Sequence, residues 1–73
     1  MIEYDENGMR VYVGGFVGDM KNGFVREGEG SEFGIDGKSA LYVGEWKNGL
    51  RHGEGEELNE NEEVIRRGRW IKG

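Results

Sequence analysis

Tyr42-Val43-Gly44-Glu45-Trp46-Lys47-Asn48-Gly49-Leu50-Arg51-His52-Gly53-Glu54-Gly55 is the stretch that decides how this chain folds. Tyr42, Gly44 and Trp46 alternate, so in an extended strand they share one face. Lys47-Asn48-Gly49 then supplies a turn, because Asn and Gly tolerate positive φ. Gly53 and Gly55 share a face of the return strand. A hairpin that sets Trp46 against Gly53 would set Gly44 beside Gly55. The glycines then leave shallow slots in which aromatic rings lie flat across the strands, which offsets the cost of Gly in a sheet.

The same pattern recurs on both sides. Phe16-Val17-Gly18-Asp19-Met20-Lys21-Asn22-Gly23 echoes residues 42–49, and Arg66-Arg67-Gly68-Arg69-Trp70-Ile71-Lys72-Gly73 echoes them again. Gly28-Glu29-Gly30 anticipates Gly53-Glu54-Gly55. A shorter echo, Tyr12-Val13-Gly14-Gly15-Phe16, overlaps the first, so the sequence leaves the first repeat starting at either Tyr12 or Phe16. Asn7-Gly8 and Asp36-Gly37 mark turns between units, and Glu60-Asn61 is a weaker version of the same signal. No apolar i, i+3, i+4, i+7 pattern is long enough for a helix. The expectation is all-β: about six short strands in a single antiparallel meander sheet without substantial helix. Tyr12 or Phe16, then Tyr42, Trp46 and Trp70, should form a thin core of stacked rings, leaving the surface half covered.

Composition narrows the function. The chain has 73 residues, with 15 Gly, no Pro and no Cys, and ten basic against 15 acidic residues give a formal charge of −5. That is one domain. The lack of cysteine excludes disulfides and thiolate chemistry, and with no signal peptide in Met1-Ile2-Glu3-Tyr4 an intracellular, cytoplasmic location is expected. No apolar run approaches the roughly 18 residues of a membrane-spanning helix. The acidic balance argues against nucleic acid, which is bound by cations.

Catalysis finds little support. His52, the single histidine, falls in a turn, and Ser31 and Ser39 have no base within sequence reach. Glu54, Glu56, Glu57, Glu60, Glu62 and Glu63 read as a solvated, edge-protecting run. Glu3-x-Asp5-x-Asn7-Gly8 resembles half of a calcium loop, but its twelfth position is Gly14 where a bidentate Glu is needed, so a hairpin turn is the better reading. Gly28-x-Gly30 and Gly53-x-Gly55 have no following helix to cradle a phosphate. No catalytic site, metal or cofactor is expected.

Charge is unevenly placed. Residues 1–63 hold six basic and 15 acidic groups, a formal −9, while residues 64–73 hold Arg66, Arg67, Arg69 and Lys72 and no acid. The basic strand can pair with its acidic neighbour, meet an acidic partner, or face anionic lipid, where each cation contributes about 1 kcal/mol. Internal or protein contacts rank above lipid, because the acidic body opposes approach to a membrane. In this last strand Ile65, Arg67, Arg69 and Ile71 share one face, and Val64, Arg66, Gly68 and Trp70 the other. Its open edge is a template for another strand.

Tyr-x-Gly-x-Trp-x-Asn-Gly-x-x-x-Gly-x-Gly, as it stands from Tyr42 to Gly55, resembles the membrane occupation and recognition nexus (MORN) repeat. The resemblance divides residues 1–73 into a partial unit (1–11), two units (12–41 and 42–65) and a closing half-unit (66–73), within a single domain. It implies a curved single sheet of consecutive hairpins and a scaffolding or binding module. Family members are associated with protein contacts, self-association and junctions between membranes and cytoskeleton. Similar repeats also occur as accessory segments of lysine methyltransferases and phosphatidylinositol-phosphate kinases. On this reading the partner, another protein or a second copy, packs on an aromatic, glycine-lined face: Tyr12, Phe16, Tyr42, Trp46 and Trp70, with Arg66 and Arg69 at the edge. The alternatives are a peripheral membrane module reading anionic lipid through Arg66, Arg67, Arg69 and Lys72, or an accessory domain of a larger enzyme.

Overall fold

Turn chemistry sets where the strands end. The computed structural model describes residues 1–71. Six strands, β1 (Ile2–Tyr4), β2 (Arg10–Asp19), β3 (Gly23–Phe33), β4 (Ala40–Lys47), β5 (Leu50–Leu58) and β6 (Val64–Trp70), pair in sequence order as one antiparallel sheet. Among the described residues there is no helix, and the molecule is only 14 Å thick along its shortest axis. This is the single-layer meander expected from the alternating pattern.

Asn48 and Gly49, at φ 53° and 84°, form a two-residue turn closed by the Lys47–Leu50 pair. Between β1 and β2, Asp5 donates its N–H to the Met9 carbonyl (2.8 Å) and accepts the Asn7 and Met9 amides on Oδ1. The β5–β6 loop repeats that design with Asn59, whose Oδ1 accepts the amides of Asn61 and Glu63. Here Glu62 (φ 61°) occupies the left-handed position that Gly8 (φ 80°) fills in the first loop. The weak turn signal at Glu60-Asn61 thus marks a real turn with a poorly suited residue inside it.

Register resolves the first repeat. Tyr12, Glu32, Tyr42, Glu57 and Arg66 lie in one row across the sheet, with Glu3 outside Tyr12. Gly14, Gly30, Gly44, Gly55 and Gly68 form the next row. Tyr12 therefore matches Tyr42 and Phe16 matches Trp46, so the unit begins at Tyr12. Its hairpin runs further, through Val17–Val25, Gly18–Phe24 and Asp19–Gly23.

One expected pairing is corrected. Gly44 does sit beside Gly55, but Trp46 faces Arg51, and Gly53 faces Trp70 on the other side. Between those two pairs β4 advances two residues and β5 four, so β5 carries a bulge at Gly53. The Glu45 carboxylate ties it down by accepting the Glu54 amide at 2.7 Å. β3 does the same at Gly28 between its Gly14–Gly30 and Phe16–Arg26 pairs. In each Gly-Glu-Gly, the first glycine serves the bulge and the second makes room for a ring.

A Cβ on Gly30 would collide with the Tyr12 ring, and one on Gly55 with that of Tyr42. Gly30→Ala and Gly55→Ala should each cost about 1–3 kcal/mol in equilibrium urea unfolding. Glu62→Gly should instead stabilise the chain by about 0.5–1 kcal/mol by relieving a left-handed glutamate.

Candidate interaction surface

Phe16, Tyr12, Trp46, Tyr42 and Trp70 form a continuous ladder, each ring edge-on to the next at 5.0–5.2 Å and 81–86°. The period-2 spacing of Tyr and Trp puts both on one face, and the glycine row lets each tyrosine cross to the next strand. Tyr12 and Tyr42 are fully buried, and Trp46 and Trp70 nearly so. Three of the polar tips are hydrogen-bonded: Tyr12 Oη donates to the Gly15 carbonyl (3.0 Å), Tyr42 Oη to that of Glu45 (2.9 Å), and Trp46 Nε1 to that of Gly30 (3.1 Å). Burial pushes both tyrosine pKa values up, against the pull of Arg26 and Arg51.

The rings are roofed rather than open. The Arg26 guanidinium lies 4.7 Å from the Tyr12 ring and 4.9 Å from that of Trp46, Arg51 lies 4.7 Å from Tyr42, and Arg66 lies 5.2 Å from Trp70. Glutamates of the tyrosine row lock two of these cations in a chain: Glu3–Arg26 (3.0 Å), Arg26–Glu32 (3.3 Å), Glu32–Arg51 (2.7 Å) and Arg51–Glu57 (3.4 Å). The half-covered state expected of these rings is corrected: Tyr12, Tyr42, Trp46 and Trp70 are buried, under this chain's own arginines. Phe16 alone of the five remains half-buried.

The basic strand divides between two faces. Arg66 stands over Trp70, while Arg67 meets Glu56 at 2.6 Å and Arg69 meets Glu54 at 3.1 Å on the opposite face. Arg66, Arg67 and Arg69 do not make one cationic patch, and Lys72 lies outside the described residues. Internal pairing of the basic strand, one of the outcomes its charge suggested, is what forms. His52 lies in β5, and Ser31 in β3 opposite Val13 and Val43. Ser39 Oγ lies 3.3 Å from Asp36 Oδ2 and 3.1 Å from the Glu60 carbonyl, joining two turns. The Asp36 carboxyl accepts the Lys38 and Ser39 amides, and that of Asp19 the Asn22 and Lys21 amides, which hold both below the usual carboxylate range.

One surface escaped the sequence reading. Beyond Phe16 a groove of about 430 Å³ is lined by Met1, Ile2, Phe24, Val25 and Arg26. Ile2, Phe24 and Val25 are each more than 40% exposed. The signal was the pair of apolar doublets Phe16-Val17 and Phe24-Val25, which read as ordinary strand until the extended hairpin placed them past the end of the ladder. The β4–β5 turn closes one side, where Gly49 N–H donates to the Arg26 carbonyl (3.0 Å).

The MORN repeat family model matches residues 12–24 and 42–61, both starting at the tyrosine that opens a unit. Comparison with curated proteins and with solved structures finds no match.

Arg26→Ala removes two cation–π contacts and two ion pairs and should cost about 2 kcal/mol in urea unfolding, whereas Arg67→Ala, at an exposed pair, should cost under about 0.5 kcal/mol. The tyrosine shifts fix a second expectation. Folded pKa values above 10 mean that the fold favours the protonated phenols. That contribution is complete below pH 10 and is lost as pH rises through the folded values. In an alkaline titration, phenolate absorbance from Tyr12 and Tyr42 should appear together with loss of near-ultraviolet circular dichroism.

Proposed function

Its two matched segments make this chain a MORN-repeat protein, and we propose that it is a non-catalytic, intracellular binding or scaffolding module for another protein. MORN repeats are generally associated with protein or membrane interactions. The observation that carries the protein reading is the single layer. A sheet 14 Å thick, with no second layer among the described residues, leaves Ile2, Phe24, Val25, Val43, Leu50 and Ile65 each more than 40% exposed. Of these, Ile2, Phe24 and Val25 line one groove, and contiguous apolar exposure of that kind supports a contact surface. Arg67 and Arg69 are engaged by glutamates, so the cations expected for an anionic membrane are in part already neutralised.

Selection of a random peptide library displayed on phage against the immobilised chain tests this. Enriched peptides should bind saturably and hold their affinity as salt rises from low to physiological strength. No enrichment, together with salt-sensitive binding to phosphatidylserine vesicles, would replace the reading with the lipid one. Light scattering over a concentration series checks the homotypic form, for which a mass rising with concentration is expected.

A further inference from the structure

A second groove lies between two turns. The β3–β4 loop and the β5–β6 loop enclose about 430 Å³, lined by Gly34, Ile35, Asp36, Ser39, Leu41 and Glu60. Ile35 is 97% exposed and Leu41 is half-buried, so the apolar part of the wall is uncovered. The chain's own hydrogen bonds build the walls. Asp36 Oδ1 accepts the Lys38 and Ser39 amides, Asn59 Oδ1 accepts those of Asn61 and Glu63, and Ser39 Oγ meets the Glu60 carbonyl at 3.1 Å. Two carboxylates, Asp36 and Glu60, are in the lining itself, and neither has an ion pair among the described residues. Lys38, of the same loop as Asp36, does not line the groove.

The preceding pair of loops shows what such a junction takes. Arg10 opens β2, lies 4.3 Å over the Phe33 ring and donates from Nε to the Gly37 carbonyl at 2.7 Å. An arginine thus joins the start of β2 to the β3–β4 loop. Ala40 opens β4 in the corresponding place, paired with Phe33 as Arg10 is with Tyr4. Its neighbours Ser39 and Leu41 line the groove, and the junction one unit further on has no arginine of its own. A second copy is a poor donor, because each of the six arginines of this chain already meets a ring or a carboxylate within it.

We propose that the groove between the β3–β4 and β5–β6 loops takes an arginine side chain from a segment of a partner protein. The inference rests on the binding-module reading above. The aliphatic stem of the arginine lies along Ile35 and Leu41, and its guanidinium reaches the Glu60 and Asp36 carboxylates. Apolar walls around the pair limit its screening by salt.

The test is a titration of the isotope-labelled full chain, followed by amide NMR shifts, with the capped peptide Gly-Ala-Val-Arg-Val-Ala-Gly. Expected are shifts centred on Ile35, Asp36, Ser39, Leu41 and Glu60. Citrulline in place of the peptide's arginine keeps its shape and loses its charge; it should weaken binding about tenfold, and alanine there about 30-fold. Glu60→Gln and Ile35→Ser, both at exposed loop positions, should each weaken the arginine peptide about threefold while leaving the shifts of Trp46 and Trp70 in place. Equal affinity for the arginine and citrulline peptides, shifts centred elsewhere, or no binding overturns the proposal. If library-selected peptides still bind on another face, the binding-module reading stands without it.

Discussion

Everything in this sheet depends on a tyrosine ring lying directly on the backbone of the next strand. Tyr12 crosses to Gly30 and Tyr42 crosses to Gly55, close enough that a Cβ at either glycine would strike the ring. That approach helps set the register, because a one-residue slip puts a side chain beneath the ring. It also creates the ladder: once both tyrosines lie across the sheet, Trp46 fits between them edge-on. A single sheet has no opposing layer to make a core, so it builds one from rings laid sideways.

Rings laid on one face still need a cover, and the tyrosine row provides it. Each interior tyrosine stands between two glutamates in register: Glu3 and Glu32 beside Tyr12, Glu32 and Glu57 beside Tyr42. Arg26 and Arg51 reach over the rings and are fixed by those same carboxylates. The guanidinium of each arginine lies over ring surface while its charge stays paired. The residues that look most like a binding site in the sequence are thereby consumed in holding the sheet together.

The repeating part of this structure was legible because it obeys simple periods. Alternation of Tyr42, Gly44 and Trp46 gave the face, Asn48-Gly49 gave the turn, and the recurring glycines gave the slots. The bulge was not legible: nothing in Gly53-Glu54-Gly55 shows that the first glycine is pushed aside, since that requires knowing that Arg51 rather than Gly53 meets Trp46. The roof was invisible for a similar reason. Arg26 and Glu3 are 23 residues apart and meet only through the register of two intervening pairings. The start of the first repeat could not be chosen from residues 12–23 either, because the extra hairpin length made both registers match. The groove followed from that length.

The way charge is spent also changes what a partner meets. A formal −5 describes the whole chain, but it counts four arginines whose charge is already matched by a carboxylate within reach. Two of them, Arg26 and Arg51, sit over rings on one face, and the other two are held against β5 on the opposite face. Each pair removes acid and base together, so the groups left outside ion pairs keep an acidic excess like that of the whole chain. Such a field steers cations towards the chain and repels anions, and it fades with salt over a Debye length of about 10 Å. Steering chooses which partners approach, while apolar burial decides which remain.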